Sequence, residues 1–585
     1  MLSMLQTRHP RLYITPQRIE ELQRTARTDQ VLAGLIKRLL EEADRLIGQE
    51  PTEFLIVGPR MLARSQQILS RVSTLALAFR LTGEGKYLER TKQELFAAAA
   101  FPHWNPSHFL DAAELCTAFA IAYDWLYSDW SEGDRRVIKD ALVQKGLEAG
   151  AAAHQAKAWW MSAASNWNLV CNGGLTIGAL ALADEDPALT QPIIDTAIAN
   201  LPLSFGSFQP DGAWEAGPDY WAYTNRYAAF TIEALNTALG KDFNLSQAPG
   251  FSLTGLFPLH CTAPSGASFN FADATPENRS TPSLFWLGQR FNLPACINEN
   301  HRRLRQQETR RPAPDAFDLV WYQAPVAAVE PLPLGAHFRR VEAITLRSSW
   351  SDPQALFVGF KGGFNQANHG HLDLGSFVME VAGERWAMEL GLDDYDLPGY
   401  FDKVEGGARW KIFCLSNRSH NTLVINGDLQ RIDAKAPILR SNLSGTSGFA
   451  VADLTTAARP HVSSWFRGVK LLGGKALVIQ DEIGWASETR QVRWQMLTDA
   501  EIQLSGAEAK LIQNGKTLTA KILSPAGARF SQESAEQSPP ERANKGLKQL
   551  IVTHQESQPS TRLCIVLWIE AVDTEINGLD SWSSE

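Results

Sequence analysis

Five side chains able to bind a metal or transfer a proton follow one another in the second half of the chain. His369, His371 and Asp373 alternate in the stretch Asn-His-Gly-His-Leu-Asp, so an extended strand would present them on one face. A carboxylate follows at Glu389 and a third histidine at His420. Histidine is scarce, with 12 in 585 residues, so this grouping favours a functional site over surface polarity. Two histidines and one carboxylate suit Zn²⁺ with an open fourth position.

The composition is that of a soluble globular protein with at least two domains. The chain has 585 residues, 44% of them apolar and 20% charged, which is too long for one ordinary core. Its net charge of −9 argues against a general nucleic-acid binder, although a local cationic groove can still bind a polyanion. The 18 tryptophans are a weak indication of carbohydrate binding, because indoles stack on sugar rings but also fill cores.

Cysteine usage and the ends of the chain bear on its compartment. The six cysteines form no CxxC pair and are scattered, which predicts buried thiols rather than disulfides or a thiolate metal site. The N-terminus shows no basic segment followed by an apolar one, so we expect a cytoplasmic protein, or a periplasmic or secreted one if a leader has been removed. No apolar run approaches the roughly 20 residues that span a bilayer, so we expect no membrane partner.

Hydrophobic periodicity divides the chain into a helical part and a β part. Apolar residues at spacings of three and four predict helices at 68–81 and 112–126, and Thr15-Pro16 predicts a helix start. We therefore expect a helical domain at 1–325, in which antiparallel hairpins form a bundle, a solenoid or an α/α toroid. A Pro-rich linker is predicted at 326–336 and an antiparallel β-sandwich domain at 337–585. Strands are predicted at 343–347, 355–360, 423–426, 476–480 and 563–568.

A second group of unusual residues interrupts the helical half. Asn166 precedes Trp167, and a later stretch rich in Gly, Pro and aromatic residues carries Glu215, Tyr220 and Tyr223. Irregular breaks at the mouth of a helical scaffold often carry function. Considered singly, Asn166 suits a helix cap and Tyr220 suits core packing.

In this order, the two groups of residues resemble the heparinase II/III-like superfamily of polysaccharide lyases, which also includes exolytic alginate lyases. The resemblance spans residues 10–430 and is strongest at 365–425. It implies an N-terminal α/α toroid, a C-terminal antiparallel β-sandwich and an active site in the cleft between them. Two departures stand out: Glu389 occupies a position that is often Asp, and Trp167 one that is often His. The second change removes a polar group or replaces it with a stacking surface.

The resemblance implies β-elimination at a uronic acid, which leaves a 4,5-unsaturated product. Tyr220 is then the general base and acid, and Asn166 binds the uronate carboxylate as negative charge develops on it. His369 assists as a protonated donor, or as the second base when H5 lies on the opposite ring face, as in iduronate. Tyr223 is a substitute for Tyr220, and Tyr400 contributes an additional hydroxyl.

The resemblance also assigns the metal. His371, Glu389 and His420 hold Zn²⁺ or another divalent ion in a structural role, because elimination requires no water nucleophile. Asp373 orients a ligand histidine. The expected partner is an anionic uronate polysaccharide or oligosaccharide. We favour a glycosaminoglycan such as hyaluronan, chondroitin or heparan sulfate, with alginate as the alternative.

Three other classes compete with a lyase. A glycoside hydrolase on an α/α toroid would use paired carboxylates, for which Glu114, Glu215 and Asp219 are candidates. A non-catalytic carbohydrate-binding protein would use the aromatic residues but not the histidines. A zinc hydrolase is less favoured, because the chain contains no His-Glu-x-x-His motif. Ultraviolet absorbance of an unsaturated uronate product separates the lyase from all three.

Overall fold

The computed structural model describes residues 2–308, 313–572 and 577–582, in which helices precede strands. This order confirms the predicted fold class. None of the described helices is long and apolar enough to cross a bilayer. The α-helices are α1 Pro16–Thr25, α2 Gln30–Ile47, α3 Leu62–Thr82, α4 Gly85–Ala99, α5 Leu110–Trp125, α6 Glu132–Ala141, α7 Glu148–Gln155, α8 Asn166–Leu182, α9 Pro187–Phe205, α10 Gly217–Leu239, α11 Leu256–Cys261, α12 Ser283–Arg290, α13 Pro294–Glu308 and α14 Ala316–Val320.

Helix α1 begins where the sequence signal predicts, and the helices pack against near neighbours in the chain. The side chain of Thr15 accepts a hydrogen bond from the Arg18 amide at the start of α1, and Pro16 occupies the first turn. Helix α3 packs against α4 and α5, α5 packs against α8, and α8 packs against α9. Every residue of α5 is buried, so this helix is an internal element of the helical part.

Within the described residues every strand pairing is antiparallel, and the strands form four sheets. Their orders are β1-β2-β3-β5-β6, β14-β15-β16-β19-β12-β11-β10-β9, β17-β18-β13-β7 and β4-β8. The five predicted strands all occur, within a few residues of their expected bounds. The strands are β1 Gly335–Phe338, β2 Ala343–Arg347, β3 Phe357–Lys361, β4 Gly363–Phe364, β5 Phe377–Val381, β6 Glu384–Ala387, β7 Leu423–Ile425, β8 Lys435–Ala436, β9 Ile438–Asn442, β10 Phe449–Asp453, β11 Val462–Leu472, β12 Ala476–Trp485, β13 Gln491–Thr498, β14 Glu501–Ser505, β15 Glu508–Gln513, β16 Lys516–Ser524, β17 Phe530–Ser534, β18 Lys548–Gln555 and β19 Ser560–Trp568.

One apolar core joins the three larger sheets. A buried ion pair within this core holds the loops that contain Gly375 and Asn421. Arg467 contacts both carboxylate oxygens of Asp481, at 2.7 and 2.8 Å, and both side chains are fully buried. The same guanidinium donates to the carbonyls of Gly375 and Asn421, at 2.9 and 3.0 Å. Because Asn421 follows His420, the core holds this histidine's loop directly.

The chain divides into two compact units that are not contiguous in sequence. The helical unit contains residues 1–209, 222–255 and 279–329, and the β unit contains 210–221, 256–278 and 330–585. The predicted division at 325 and 337 was contiguous, and β1 begins at Gly335, within the predicted linker. Two short segments from the helical half of the sequence thus belong to the β unit. All six cysteines are free and buried, as predicted.

Candidate active site

The histidine-bearing segment is an irregular loop between β4 and β5, so the prediction of a single strand face is wrong. His369 adopts a left-handed backbone conformation, with φ of 56°, which an extended strand does not permit. Gly370 lies so close to the backbone that a Cβ atom there would be 2.8 Å from the Asn365 carbonyl oxygen. The loop brings His369 and His371 together through a shared partner rather than through strand alternation.

That partner is Asp273, a fully buried carboxylate in the segment after α11. Its Oδ2 lies 2.6 Å from His369 Nδ1, and its Oδ1 lies 2.8 Å from His371 Nε2. The hydroxyls of Tyr395 and Tyr400 donate to the same carboxylate, at 3.1 and 2.7 Å. The Asp273 carboxylate therefore accepts hydrogen bonds from four side chains of the β unit, and these fix its orientation.

Asp273 remains ionised in this environment. Burial by itself raises the pKa of its carboxyl, but the hydrogen bonds and charges of His369 and His371 outweigh burial and hold this pKa well below its ordinary value. The backbone nearby is closely packed: Gly391 has φ of 68°, and a Cβ atom there would clash with the Ala274 carbonyl. The carboxylate is thus both charged and held in a rigid position.

The protonation state of His369 follows from its partner. An ionised carboxylate only accepts hydrogen bonds, so Nδ1 of His369 carries the proton and Nε2 is left with a lone pair. Burial lowers the pKa of His369 against the opposing effect of Asp273, which keeps the ring neutral near pH 7. Arg409 is also buried and donates to the carbonyls of His369 and Gly370, at 3.3 and 2.9 Å. Of the two roles that the resemblance implies for His369, a neutral ring with a free Nε2 lone pair suits the base better than the protonated donor.

Tyr220, in the first turn of α10, lies against this histidine. The two rings stack with centroids 3.9 Å apart and planes 23° apart. The Tyr220 hydroxyl is 3.0 Å from that of Tyr395, which in turn donates to Asp273. The structure therefore brings together Tyr220 and His369, two of the three predicted catalytic residues. Tyr400 lies in the same group, and burial followed by the Asp273 charge raises its pKa.

Tyr223 and Asn166 belong to the helical unit. The Tyr223 hydroxyl donates to the buried carboxylate of Glu114 at 2.8 Å, and burial together with Glu114 raises the pKa of Tyr223 well above its ordinary value. The Tyr223 hydroxyl is thus already engaged by Glu114 within the helical unit. Asn166 is the first residue of α8 and is buried, with no hydrogen-bond partner for its Oδ1 among the described residues.

The predicted metal ligands are arranged as two carboxylate–imidazole pairs. His371 Nε2 donates to Asp273, and His420 Nδ1 lies 2.5 Å from Glu389 Oε2. The remaining nitrogens, His371 Nδ1 and His420 Nε2, are buried and have no hydrogen-bond partner among the described residues. The ring centroids are 5.3 Å apart. Two imidazoles bound tetrahedrally to one Zn²⁺, with bonds of about 2.0–2.1 Å, have a similar separation.

Glu389 is occupied by other partners. Its second oxygen accepts a hydrogen bond from the Ser376 hydroxyl, so in this geometry it orients His420, as carboxylates do for metal-bound histidines. His371, Glu389 and His420 do not offer three ligand atoms within 4.8 Å of one another in the described part of the chain. Burial lowers the pKa of His420 and Glu389 raises it, with Glu389 prevailing, so a proton and a metal compete for Nε2. Asp373 is buried, and its charge also raises this pKa. Two imidazole nitrogens, on His371 and His420, thus remain available to a metal.

Sequence reasoning missed Asp273, Tyr395, Arg409 and Lys403. Asp273 stands alone in an apolar stretch about 100 residues before its histidines, and only its enclosure in Phe-Asn-Phe-Ala-Asp was a signal.

Lys403 is half-buried, and its ammonium donates to the Ala367 carbonyl at 3.2 Å, within the histidine loop. Burial, with Arg409 acting in the same direction, lowers the pKa of Lys403 to about 8.

Solved structures with a similar fold are polysaccharide lyases. A mutant of heparan sulfate lyase HepC from Pedobacter heparinus has a TM-score of 0.64 and 14% identity, covering 91% of this chain and 82% of that one. Chondroitin AC lyase from Streptomyces coelicolor has a TM-score of 0.51 and 12% identity, covering 95% and 83%. A Paenibacillus xanthan lyase has a TM-score of 0.56 and 12% identity, covering 93% and 58%. The similarity confirms the predicted fold, an α/α toroid followed by antiparallel β-sheets.

The C-terminal region has a recognisable family. Residues 355–565 match the family model described as Heparinase II/III-like, C-terminal. This part of the β unit is therefore similar to heparinase II/III-like C-terminal domains, which confirms the resemblance found in the sequence. This family and the structural neighbours are polysaccharide lyases, in agreement with the enzyme class predicted. No curated protein sequence matches the chain.

Asp273→Asn should lower the free energy of unfolding by about 3–5 kcal/mol, because it neutralises a buried charge on which four donors depend. Urea denaturation measures the change. The matched control is Asp433→Asn, which removes an ion pair to Arg431 in which both side chains are about half exposed. That variant should lose less than about 1 kcal/mol. Equal losses in the two variants would contradict the central role of Asp273.

Lys403 should impose a pH dependence on stability. Its folded pKa of about 8 lies below its ordinary value of 10.5, so the unfolded state binds the proton more tightly. The protonated lysine therefore lowers the free energy of unfolding below pH 8, and this penalty disappears as the pH rises from 8 to 10.5. We expect the stability of the parent relative to Lys403→Met to increase across that window. Lys411 is exposed, so the difference in stability between the parent and Lys411→Met should not change with pH. If the difference between the parent and Lys403→Met does not change with pH either, the lowered pKa of Lys403 is refuted.

Proposed function

We propose that this protein is a polysaccharide lyase that cleaves uronate-containing polysaccharides by β-elimination. The observation that carries the proposal is the stacking of Tyr220 on His369, with both linked to the buried carboxylate of Asp273. This arrangement supplies a neutral base and a phenolic acid side by side, which is what elimination without a water nucleophile requires.

His369 is the base. Its Nε2 lone pair takes the C5 proton of the uronate, the C5–H electron pair forms the C4=C5 double bond, and the C4–O bond breaks. Asp273 holds Nδ1 at 2.6 Å, which orients the ring and stabilises the imidazolium that forms. This partner makes His369 a stronger base than an isolated buried imidazole.

Tyr220 is the acid. Its hydroxyl protonates the leaving O4, and a proton then returns from His369 to Tyr220 before the next turnover. Because the Tyr395 hydroxyl donates to Asp273, its oxygen can accept a hydrogen bond from the Tyr220 hydroxyl, which holds this proton donor in place. A single tyrosine acting as both base and acid is the alternative for glucuronate, in which H5 and O4 share a ring face.

The negative charge of the substrate carboxylate requires donors and cations. Asn166 is the proposed carboxylate ligand, because the N–H groups of its side-chain amide can donate hydrogen bonds to an anion. Lys403 adds positive charge below its pKa of about 8 and contacts the loop that carries His369. Preorganised donors of this kind lower the barrier most where charge develops.

We propose a glycosaminoglycan as the polymer. The names of two structural neighbours, heparan sulfate lyase and chondroitin AC lyase, support this choice, and alginate is the alternative. A panel of hyaluronan, chondroitin, heparan sulfate and alginate, followed by ultraviolet absorbance of the unsaturated product, tests both the class and the polymer. Release of reducing sugar without this absorbance would instead indicate a hydrolase.

Paired carboxylates for hydrolysis find less support. Glu114 is engaged by Tyr223 and Tyr227, each at 2.8 Å. Asp219 accepts hydrogen bonds from the amide and hydroxyl of Thr275, at 2.9 and 2.8 Å. Both carboxylates thus have structural roles in their own units.

The proposed metal is Zn²⁺ or another divalent ion, held by His371 and His420. When bound, it would supply a structural link between the loops that carry these histidines. Glu389 and Asp273 orient the two rings, and the elimination steps use other residues.

Tyr220→Phe should reduce cleavage of the polysaccharide by at least about 10²–10⁴-fold, because general acid catalysis is lost. A uronoside with fluoride at C4 needs no protonation of its leaving group, so Tyr220→Phe should still eliminate it. His369→Gln should lose both reactions. Absorbance of the unsaturated product measures all rates.

The control for Tyr220→Phe is Tyr223→Phe, which removes the neighbouring hydroxyl that donates to Glu114. It should retain most activity. Loss of fluoride elimination in Tyr220→Phe would assign the base role to Tyr220, whereas near-normal polysaccharide cleavage by that variant would exclude Tyr220 from the chemistry.

His420→Ala should remove the bound metal and lower the melting temperature, because metal binding contributes to folding free energy. Elemental analysis of protein purified without chelator gives the metal content. His461→Ala is the control, since that histidine is partly exposed and pairs with Asp428 at 2.7 Å; it should retain the metal. Absence of a stoichiometric metal in the parent protein would contradict the proposed site.

A further inference from the structure

An exposed tryptophan stands out on the helical unit. Trp159 is 62% exposed, whereas Trp160 beside it is buried and stacks on Phe109 with centroids 4.9 Å apart. Burying an aromatic side chain of this size is worth several kcal/mol, so leaving one in water forgoes that stabilisation. Scattered apolar residues are common on surfaces, so exposure alone does not mark a site.

Trp159 is part of a continuous aromatic surface. Its ring lies 4.8 Å from that of Trp167, and the Trp167 ring meets the edge of His108 at 4.9 Å. His108 is fixed in turn by Asp111, at 2.8 Å. Three rings thus form one surface, which we call the aromatic ledge: Trp159, Trp167 and His108.

The backbone that carries the ledge is pinned to the helical core. Trp159 begins a short 3₁₀-helix, and the Asn168 amide donates to the Met161 carbonyl at 2.9 Å. The hydroxyls of Ser207 and Ser204 donate to the carbonyls of Ala164 and Ser165, at 2.7 and 2.9 Å. A surface held in this way binds a ligand with little loss of conformational entropy.

A polar side chain with unmet bonding capacity directly precedes a ledge residue in the sequence. Asn166 immediately precedes Trp167 and is 1% exposed, and its Oδ1 has no partner among the described residues. Buried amide oxygens without partners are rare and call for an explanation, such as a ligand that completes their bonding. The combination of flat aromatic surface and unmet polar group is typical of sugar sites, since a pyranose has an apolar C–H face and a polar edge.

We infer that the aromatic ledge is a saccharide subsite, in which a pyranose ring of the uronate polysaccharide stacks on Trp159 beside Asn166. The inference deepens the proposed function and rests on it for the class of polymer. A ring whose hydroxyls are all equatorial, such as β-glucuronate, presents a flat C–H face to the indole. Guluronate, which has axial hydroxyls, fits less well, so the ledge favours glucuronate-containing glycosaminoglycans over guluronate-rich alginate.

Calorimetry with the full-length protein tests the subsite. The probes are saturated hexasaccharides of hyaluronan, unsulfated heparosan and polyguluronate, titrated into protein carrying Tyr220→Phe so that binding is measured without turnover. Adding Trp159→Ala should weaken binding of the first two about tenfold, the upper end expected for one aromatic contact. Trp159→Phe should keep binding within about threefold of the parent. Leu203→Ala removes another exposed apolar side chain, 49% exposed on α9, and should change nothing.

With Tyr220 intact, Trp159→Ala should raise KM about tenfold and leave kcat unchanged, because stacking binds the ground state and transition state equally. The melting temperature should not move, since Trp159 is mostly exposed. Unchanged hexasaccharide binding in Trp159→Ala overturns the subsite, as does a fall in kcat without weaker binding.

Failure of the subsite and failure of the proposed function give different results. Trp159-dependent binding with no unsaturated product from the Tyr220-containing protein would support the subsite and contradict the lyase proposal. Cleavage by Trp159→Ala with the KM and kcat of the parent would support the lyase proposal and contradict the subsite. If the parent binds none of the probes, both are contradicted.

Discussion

The architecture of the candidate site depends on one buried carboxylate. Asp273 accepts hydrogen bonds from two histidines and two tyrosines and lies 3.6 Å from the guanidinium of Arg409. A buried charge is tolerated only when such partners replace its lost hydration. Each partner in turn is oriented by the charge it satisfies, so the histidine loop, the tyrosine segment and the first turn of α10 are mutually fixed. The positions of the residues in the candidate site therefore depend on the charge of Asp273.

Three carboxylate–imidazole pairs lie within this small region, and we propose different functions for them. Asp273 holds His369 with one ring nitrogen facing away from it, and the same carboxylate holds His371 by its other oxygen. Glu389 does the same for His420. In every case the carboxylate engages one ring nitrogen and leaves the other without a carboxylate partner. In the proposed mechanism, one pair transfers a proton, and the other two pairs orient the imidazoles proposed to hold a metal.

The sequence predicted what depends on local pattern and missed what depends on distant pairing. Helix α3 and strand β2 follow from periodicity, and His369 and Tyr220 were recognised from residue type and order. The prediction of a strand around His369 was wrong, because the left-handed backbone at His369 and the close packing of Gly370 do not allow side chains to alternate between two faces. Asp273 escaped notice because a lone carboxylate in an apolar stretch has no local signature, and its partners are about 100 residues away. Its role is visible only when the chain is folded.

The division of the chain has a consequence for how such proteins recombine. Tyr220 and Asp273 are encoded within the helical half but fold with the β unit, through segments 210–221 and 256–278. The family model that begins at residue 355 contains neither of them. A gene fusion made at the apparent boundary near residue 330 would give the histidines of one ancestor the carboxylate and tyrosine of another. The residues of the proposed catalytic site are therefore interleaved along the sequence, and a functional exchange would have to carry both halves together.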